Sequence, residues 1–348
     1  MSQEVKAPLF IAEISANHLG DLERAKELVI AAISAGADAV KFQTYTAETM
    51  TLDLDIPEFK ISDDHPLWGG KKLFSLYENA HTPWEWHEEL FNLCRERNVI
   101  PFSSPFDETA VDFLESIDAP MYKIASMETG DHNLIRRVAE TGKPLIISTG
   151  ATELEEIDEL GEVVKKTKNT DLTLLVCTSS YPANAIDAHI KRMEFLRNRF
   201  GLKVGLSDHT LGIGVSVAAI ALGAVAIEKH ITLKRVDGGP DGAFSMEPEE
   251  FEMLVKEGKS AFAALGSPEW SMQKSERESR RIRRSLYVVK NVIAGELVSE
   301  SNVRAIRPGG GAKPKILTSI LGRRFRTSVT SGTPMSIDLI SNISELDE

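Results

Sequence analysis

The chain has 348 residues, of which 42% are hydrophobic and 26% charged, and its formal net charge is −12. This composition is that of a globular protein, and the acidic balance argues against a nucleic-acid surface. The presence of two cysteines argues against a disulfide framework. No apolar run reaches the roughly 18 residues of a membrane helix. The N-terminus leads directly into a strand pattern with no signal-peptide features, so we expect a cytoplasmic protein.

Eight short apolar runs alternate with helical patterns over the first three quarters of the chain. They lack strict alternation of polar and apolar residues, which is typical of parallel strands buried on both faces. The runs are Leu9–Ser15, Ala39–Gln43, Val99–Ser104, Met121–Ser126, Pro144–Thr149, Leu172–Thr178, Val204–Ser207 and Ala224–His230. Eight strand–helix units predict a (β/α)8 TIM barrel. A doubly wound open sheet is the alternative, but the first turn, Ser15–Gly20, has no dinucleotide fingerprint.

Two further segments between strands are informative. After Asp131, which can cap a helix, the stripe of Leu134, Ile135, Val138 and Ala139 predicts a helix with one buried face. Residues 44–70 are too long for a simple connection, and helices are expected around 71–80 and 83–97. Long loops at the top of a barrel commonly cover the substrate, so we interpret residues 44–70 as a lid.

The C-terminal part of the chain has a different character. Residues 266–284 are highly charged and are expected to form a linker between a barrel of residues 1–265 and a small domain of residues 285–348. A weak repeat relates Val292–Ser299 to Val329–Ser336, and two turn-centred hairpins would explain it. The small domain is therefore expected to be mostly β.

Polar side chains stand at the end of every predicted strand. The carboxyl ends of the strands form the catalytic face of a (β/α)8 barrel, so we predict an active site there. The polar residues at these ends include Glu13, Asn17, Lys41, Gln43, Ser104, Lys123, Ser126, Ser148, Ser179, Tyr181, Ser207, His209, Glu228 and His230.

Two lysines, Lys41 and Lys123, lie within apolar strands, and a buried lysine needs an anion. A structural carboxylate such as Glu13 or Glu228 could supply it. The neighbouring strand ends carry hydroxyls, which favours a phosphate or carboxylate ligand instead. A lysine that forms a Schiff base is a third interpretation.

Two histidines, His209 and His230, end neighbouring predicted strands, with Asp208, Glu228 and Asp241 close to them in sequence. Two nitrogen ligands completed by water and substrate oxygens suit a divalent ion, Mn²⁺ first and Mg²⁺ or Co²⁺ as alternatives. We therefore predict a metal site that acts as a Lewis acid on a carbonyl.

These motifs resemble the sialic acid synthase family over almost the whole chain. The motifs that carry the resemblance are Ile11–His18, Val40–Gln43, Ser103–Asp107, Tyr122–Ser126, Gly205–Thr210 and Glu228–His230. The C-terminal part, including Arg307–Gly309, is similar to the antifreeze-like (SAF) domain of that family.

The resemblance implies an enzyme that condenses phosphoenolpyruvate with an N-acetylated amino sugar and releases phosphate. It implies that the catalytic residues are Glu13, Lys41, Lys123, His209 and His230, with the two histidines binding the metal. The phosphoenolpyruvate ligands that it implies are Lys41, Ser104, Lys123, Ser126, Ser148 and Ser207. The expected sugar ligands are Asn17, His18, Gln43, Ser179, Tyr181, Asp241 and Arg307. We assign proton transfer near carbon 2 to Glu13.

Family members are domain-swapped homodimers, so the resemblance also implies a homodimer in which Arg307 serves the other subunit. Within the family, residues 67–70 and 82–87 resemble the members that make pseudaminic acid. Synthases of N-acetylneuraminate, legionaminate or spore-coat polysaccharide are the alternatives, although Ser179 replaces an asparagine of the sialic acid synthases. A Schiff-base aldolase that uses Lys123 and a non-enzymatic sugar-phosphate sensor are the alternatives from other classes.

Overall fold

The structure is a computed structural model that describes residues 7–63, 68–167, 169 and 171–341. Leu67 of the expected lid and residues 342–348 of the expected small domain lie outside the described residues. The chain divides into two compact units, Met1–Gly266 and Ser267–Glu348. Within the described ranges, no helix is long and apolar enough to cross a membrane.

The first unit is a closed barrel of eight parallel strands, each paired with its neighbours in chain order. The strands are β1 (Leu9–Glu13), β2 (Ala39–Thr44), β3 (Ile100–Pro105), β4 (Tyr122–Ile124), β5 (Leu145–Ser148), β6 (Leu172–Cys177), β7 (Lys203–Ser207) and β8 (Ala226–His230). The barrel closes between β1 and β8, where Glu13 is in register with His230. The predicted (β/α)8 fold is confirmed.

Side chains alternate along each strand, and this alternation divides the barrel interior into layers. A small apolar cluster of Ile11, Ala39, Phe102, Met121, Ile146, Leu175 and Ala226 forms one layer. Two residues further along the strands, the same face carries polar groups or a thiol. We call this set the floor: Glu13, Lys41, Ser104, Lys123, Ser148, Cys177, Ser207 and Glu228. Gly205 belongs to the apolar layer, where a Cβ atom would lie 2.4 Å from the Ala226 carbonyl oxygen.

Helices surround the barrel. They are α1 (Leu22–Ser34), α2 (Ala47–Met50), α3 (Leu73–Ala80), α4 (His87–Arg95), α5 (Glu108–Ser116), α6 (His132–Glu140), α7 (Leu154–Lys166), α8 (Arg192–Phe200), α9 (Gly214–Ala221) and α10 (Pro248–Leu265). In α6 the Asp131 carboxylate accepts hydrogen bonds from the amides of Asn133 and Leu134, and the predicted stripe is buried. This cap and this buried stripe explain why the helix begins where the sequence predicts.

The segment between β2 and β3 is more structured than a loop. It contains α2, a 3-10 turn at Pro57–Phe59 and α3 before the chain returns to the barrel at α4. The amide of Ile61 donates to the Lys71 carbonyl and the amide of Gly70 donates to the Ile61 carbonyl, so residues 61 and 71 lie side by side. Backbone hydrogen bonds therefore hold residues 61, 70 and 71 together.

The second unit contains helix α11 (Arg277–Arg281), the antiparallel strands β9 (Ser285–Val288) and β10 (Val303–Ile306), and helix α12 (Leu317–Ile320). Its own apolar core includes Leu286, Val288, Val292, Val298, Val303 and Phe325. Val292 and Val329, the first residues of the two repeats, pair with each other in an antiparallel bridge. Gly295 and Gly332 occupy the same place in each repeat, and both have positive φ angles, of 85° and 90°. These turns favour glycine because other residues rarely adopt that conformation.

Candidate active site

A pocket of about 430 Å³ opens at the carboxyl ends of the barrel strands. Its base consists of floor residues, and one side is formed by residues of α2, α3 and the segment between them. The volume lies within the range of small-molecule sites, and this end of a barrel is where catalytic residues collect. The structure therefore places a candidate active site where the sequence predicts one.

The centre of the floor is a chain of buried charges. Lys41 Nζ lies 2.5 Å from a carboxylate oxygen of Glu13 and 3.5 Å from one of Glu228. Lys123 Nζ donates to both carboxylate oxygens of Glu228, at 2.9 and 3.1 Å. All four side chains are at most 5% exposed. Each buried cation therefore has a carboxylate beside it, as buried charges require.

Glu228, which contacts both lysines, and Glu13, which contacts Lys41, differ in the direction of their pKa shifts. Burial alone would raise the pKa of Glu228, but Lys123 and Lys41 together hold this pKa well below its usual range. Burial raises the pKa of Glu13 above its usual range, even though Lys41 opposes the change. Glu228 is therefore the permanent anion of the cluster, and Glu13 takes up a proton more readily.

Four serine hydroxyls surround these charges, but they differ in their partners. Ser207 Oγ donates to Glu228 at 2.8 Å, and Ser104 Oγ accepts from Lys41 Nζ at 3.4 Å. Ser126 Oγ accepts from the amide of Gly150 at 3.0 Å. Ser148 Oγ is buried and has no hydrogen-bond partner among the described residues. A buried hydroxyl that has no partner and lines the same pocket as two lysines is a favourable place for a ligand oxygen.

The two histidines lie next to each other above the floor, with ring centroids 5.3 Å apart. His209 Nδ1 lies 3.0 Å from the carbonyl oxygen of Thr178; a proton on Nδ1 would leave Nε2 free to bind a cation. His230 Nδ1 is buried and has no hydrogen-bond partner among the described residues. Burial lowers the pKa of His230 well below its usual value, which favours the neutral ring that a metal ligand needs. The pKa of His209 is raised instead, because the effect of burial is outweighed by its interactions with Cys177 and Thr178 together.

One ring nitrogen from each of His209 and His230 fits a divalent cation that takes its other ligands from water or substrate. No group of three or more histidine, cysteine, aspartate or glutamate side chains with metal-binding geometry occurs in the part of the chain that the structure describes. Such a site would be open, which is typical of catalytic rather than structural metals.

Three of the expected sugar ligands line the pocket. The Tyr181 ring lies 4.5 Å from the His209 ring, centroid to centroid, and contacts the pocket from the β6 side. Gln43 Nε2 donates to Glu13 at 3.3 Å and to Ser15 Oγ at 3.1 Å. Asp241 accepts hydrogen bonds from the Ser15 hydroxyl and the Ala16 amide, and burial raises its pKa.

Other expected site residues do not line the pocket. Glu13 and Ser104 lie behind Lys41. Asn17 Nδ2 donates to the Ile231 carbonyl and to Ser245 Oγ, and His18 Nδ1 accepts from the Gly20 amide. Ser179 is also outside the lining, and Arg307 belongs to the second unit. Their contacts with substrate stay predictions.

Several pocket residues were not among the expected ligands. Glu228 is the clearest, and its position two residues before His230 on β8 was a usable signal, because such residues share a strand face. Glu128 also lines the pocket. One of its carboxylate oxygens lacks a hydrogen-bond partner in the described structure, and burial raises the pKa of Glu128 to about 7. Apolar and aromatic residues contributed by the segment between β2 and α4 complete the lining: Tyr45, Met50, Ile61, Trp68, Leu73, Leu76, Tyr77 and Ala80.

A closed (β/α)8 barrel with charged and titratable groups at its carboxyl end defines a barrel enzyme, and comparison with known proteins specifies the family. The sequence model of the NeuB family matches residues 28–269, and that of the SAF domain matches residues 283–340. The chain belongs to the NeuB family. The resemblance to the sialic acid synthases and the C-terminal SAF domain are thereby confirmed.

Similar relatives cover nearly the whole chain. The pseudaminic acid synthase of Helicobacter pylori is 42% identical over 335 residues, which are 96% of this chain and 98% of the relative. The pseudaminic acid synthase of Campylobacter jejuni is 41% identical over 327 residues, 94% of this chain and 95% of the relative. The structure of N-acetylneuraminic acid synthetase from Leptospira borgpetersenii superimposes with a TM-score of 0.70 at 31% identity, covering 80% of this chain and 93% of that one.

Proposed function

We propose that this enzyme is a pseudaminic acid synthase, a transferase that condenses phosphoenolpyruvate with 2,4-diacetamido-2,4,6-trideoxy-altropyranose and releases phosphate. The 41–42% identity to synthases of this name over nearly full length supports the choice within the NeuB family. N-acetylneuraminate synthesis is the second candidate, because a solved synthetase of that name matches the fold at 31% identity.

One observation carries the proposal: two buried ammonium groups and an unpartnered hydroxyl face the same pocket. Each ammonium has three donors, and Lys123 donates hydrogen bonds to both oxygens of a single carboxylate, that of Glu228. A remaining donor of Lys123, together with Ser148, would bind the oxygens of phosphoenolpyruvate. Hydroxyl and ammonium groups bind phosphate and carboxylate oxygens with short, charge-assisted hydrogen bonds.

The reaction forms a carbon–carbon bond and a carbon–oxygen bond to water, and it breaks the carbon–oxygen bond to phosphate. Carbon 3 of phosphoenolpyruvate attacks the aldehyde carbon of the open-chain sugar, and the aldehyde oxygen gains a proton. Water adds to the cation at carbon 2, and the resulting tetrahedral adduct loses phosphate to leave a ketone. A divalent metal held by His209 and His230 would supply Lewis acidity at the aldehyde oxygen. Lys41 and Lys123 would stabilise the negative charge of the phosphate and the carboxylate throughout.

Glu13 is placed to act through Lys41 and Gln43. Its carboxylate is buried against both side chains and does not line the pocket. A proton that Glu13 accepts would therefore have to reach it from the pocket by way of these neighbours. We propose this indirect path for the proton that water loses when it adds to carbon 2.

The test is to incubate the full chain with phosphoenolpyruvate, Mn²⁺ and a panel of acceptors, and to follow phosphate release. The diacetamido altropyranose should be the preferred acceptor over its legionaminate-type isomer and N-acetylmannosamine. Preference for N-acetylmannosamine would favour the second candidate. Burial lowers the pKa of Lys123, a feature shared with Schiff-base lysines, so borohydride trapping belongs in the same experiment. Trapped substrate on Lys123 would overturn the proposal in favour of an aldolase.

A homodimer is also proposed, on the family resemblance alone. Sedimentation of the full chain should give twice the mass of one chain, and Arg307→Ala should lower turnover without changing that mass. A monomer with full activity would contradict this part of the proposal.

A further inference from the structure

The pocket has two unlike halves. The floor presents charges and hydroxyls, whereas the side formed by Met50, Ile61, Leu73, Leu76 and Ala80 presents hydrocarbon. We call these five residues the apolar wall. None of its members belongs to the strands, because all five come from the segment between β2 and α4.

Helix α3 directs its apolar face into the pocket. Leu73, Leu76, Tyr77 and Ala80 follow the spacing i, i+3, i+4, i+7, which places them on one helix face, and all four line the pocket. Leu73, Leu76 and Tyr77 are half-buried, and they are not part of the apolar core that packs around the barrel. The face is therefore in contact with the pocket space, where an apolar ligand group would remove it from water.

Aromatic contacts fix the position of this wall. Tyr45 packs edge-on against Tyr77 at 5.8 Å and against Phe106 at 5.1 Å, measured between ring centroids. On the other side, Trp68 Nε1 donates to the Pro240 carbonyl at 3.1 Å. The wall is thus tied to β3 on one side and to the segment after β8 on the other. A fixed apolar surface discriminates between ligands better than one that can rearrange.

From this arrangement we infer that the apolar wall selects the acceptor sugar, by receiving its 6-deoxy carbon and the methyl of an acetamido group. The inference rests on the proposed function and adds the residues that determine specificity. A sugar hydroxyl placed against hydrocarbon loses hydrogen bonds to water and gains none from the wall. A single methyl or methylene group in such a pocket is worth roughly 10- to 200-fold in kcat/KM.

The test uses three substitutions in α3. Leu76→Asn adds a polar group to the wall, Leu76→Met preserves its hydrocarbon, and Ser75→Asn places the same amide on the exposed side of the helix. For each variant, phosphate release is measured with phosphoenolpyruvate and either the trideoxy diacetamido sugar or its 6-hydroxy counterpart. The ratio of the two kcat/KM values is the readout, because a loss of folded protein lowers both values equally.

The wild type should prefer the trideoxy sugar by roughly 10- to 200-fold. Leu76→Asn should lower this ratio by at least about tenfold while the KM for phosphoenolpyruvate stays the same, and Leu76→Met and Ser75→Asn should keep the wild-type ratio. An unchanged ratio in Leu76→Asn, or a wild type that uses both sugars equally, would overturn the role of the wall and leave the synthase function standing. A wild type that releases no phosphate with either sugar would instead refute the proposed function itself.

Discussion

The floor and the apolar wall of the same pocket have different structural origins. The floor comes from equivalent positions on successive strands, so its geometry follows from the barrel itself. The wall comes from one segment between β2 and α4 and depends on a few aromatic and backbone contacts. Under the proposed function, this difference implies a division of work in which the floor would bind the phosphorylated substrate and the wall would adapt the enzyme to its acceptor.

The largest expected effect comes from breaking the floor. Lys123→Met removes one of the two ammonium groups beside Glu228 and leaves Lys41 at 3.5 Å. We expect kcat/KM for phosphoenolpyruvate to fall by about 100- to 1000-fold, as on loss of a charge-stabilising donor. Phosphate release measures the effect, and Lys203→Met, which removes an exposed ion pair with Asp171, is the matched control. Activity within about threefold of wild type in Lys123→Met would be too small a loss for a charge-stabilising donor.

A second prediction concerns the histidines above the floor. His209→Ala removes one of the two proposed metal ligands, and we expect Mn²⁺ to bind at least about 100-fold more weakly. Titration calorimetry measures the affinity independently of turnover. His132→Ala, at a half-buried histidine on α6, should bind Mn²⁺ like the wild type. If His209→Ala retains the wild-type affinity, or a chelator leaves wild-type turnover unchanged, the metal assignment fails.

A third prediction concerns Glu128, where the two regions meet. Lys123 of the floor opposes the rise in its pKa, and burial together with Glu128 raises the pKa of Tyr77 beside the wall. Burial raises the pKa of Glu128 from its usual value of 4.5 to about 7. The folded protein therefore holds this proton more tightly than the unfolded chain, and stability is lost as the pH rises from 4.5 through 7.

Glu128→Gln removes the free-energy cost of ionising the buried Glu128 carboxyl at high pH. The variant should be more stable than the wild type by about 2–3 kcal/mol at pH 8 and similar to it near pH 4.5. Thermal unfolding at the two pH values measures the difference, with Glu78→Gln on the exposed side of α3 as the control. An equal gain at both pH values would show that burial of the charge is not the cause.

The smallest expected effect tests how the wall is held. Trp68→Phe removes the hydrogen bond to Pro240 but keeps a ring that can pack near Tyr181, whose ring centroid is 6.0 Å away. One hydrogen bond contributes about 1 kcal/mol, so kcat/KM for the sugar should fall about fivefold while KM for phosphoenolpyruvate is unchanged. Trp270→Phe, at an exposed tryptophan, is the control. A rise in KM for phosphoenolpyruvate would mean that the two regions are not independent.

The floor could be predicted from sequence because the carboxyl ends of barrel strands form the catalytic face. Polar residues such as Lys41 and Lys123 follow apolar residues towards the ends of these runs. The ion pairs with Glu228 were harder, since a sequence does not show which of several anions a buried lysine contacts.

The wall could not be predicted because its pattern is ambiguous. The spacing of Leu73, Leu76 and Ala80 is that of any helix that buries one face, and the period does not say which surface the face meets. Asn17 shows the opposite difficulty: it stands just after a strand, but it lies in a 3-10 turn at Ser15–His18, donates to Ser245 and does not line the pocket. Local turns decide such cases, and they depend on tertiary contacts.

The most direct test of the synthase assignment follows one oxygen atom. Phosphoenolpyruvate labelled with ¹⁸O in the bridge between carbon 2 and phosphorus is incubated with the full chain, Mn²⁺ and the diacetamido sugar, and both products are analysed by mass spectrometry. The proposed route breaks the carbon–oxygen bond, so it predicts a sugar acid three carbons longer than the acceptor and ¹⁸O in the released phosphate. Retention of ¹⁸O in the sugar acid, or no lengthened product, would contradict it.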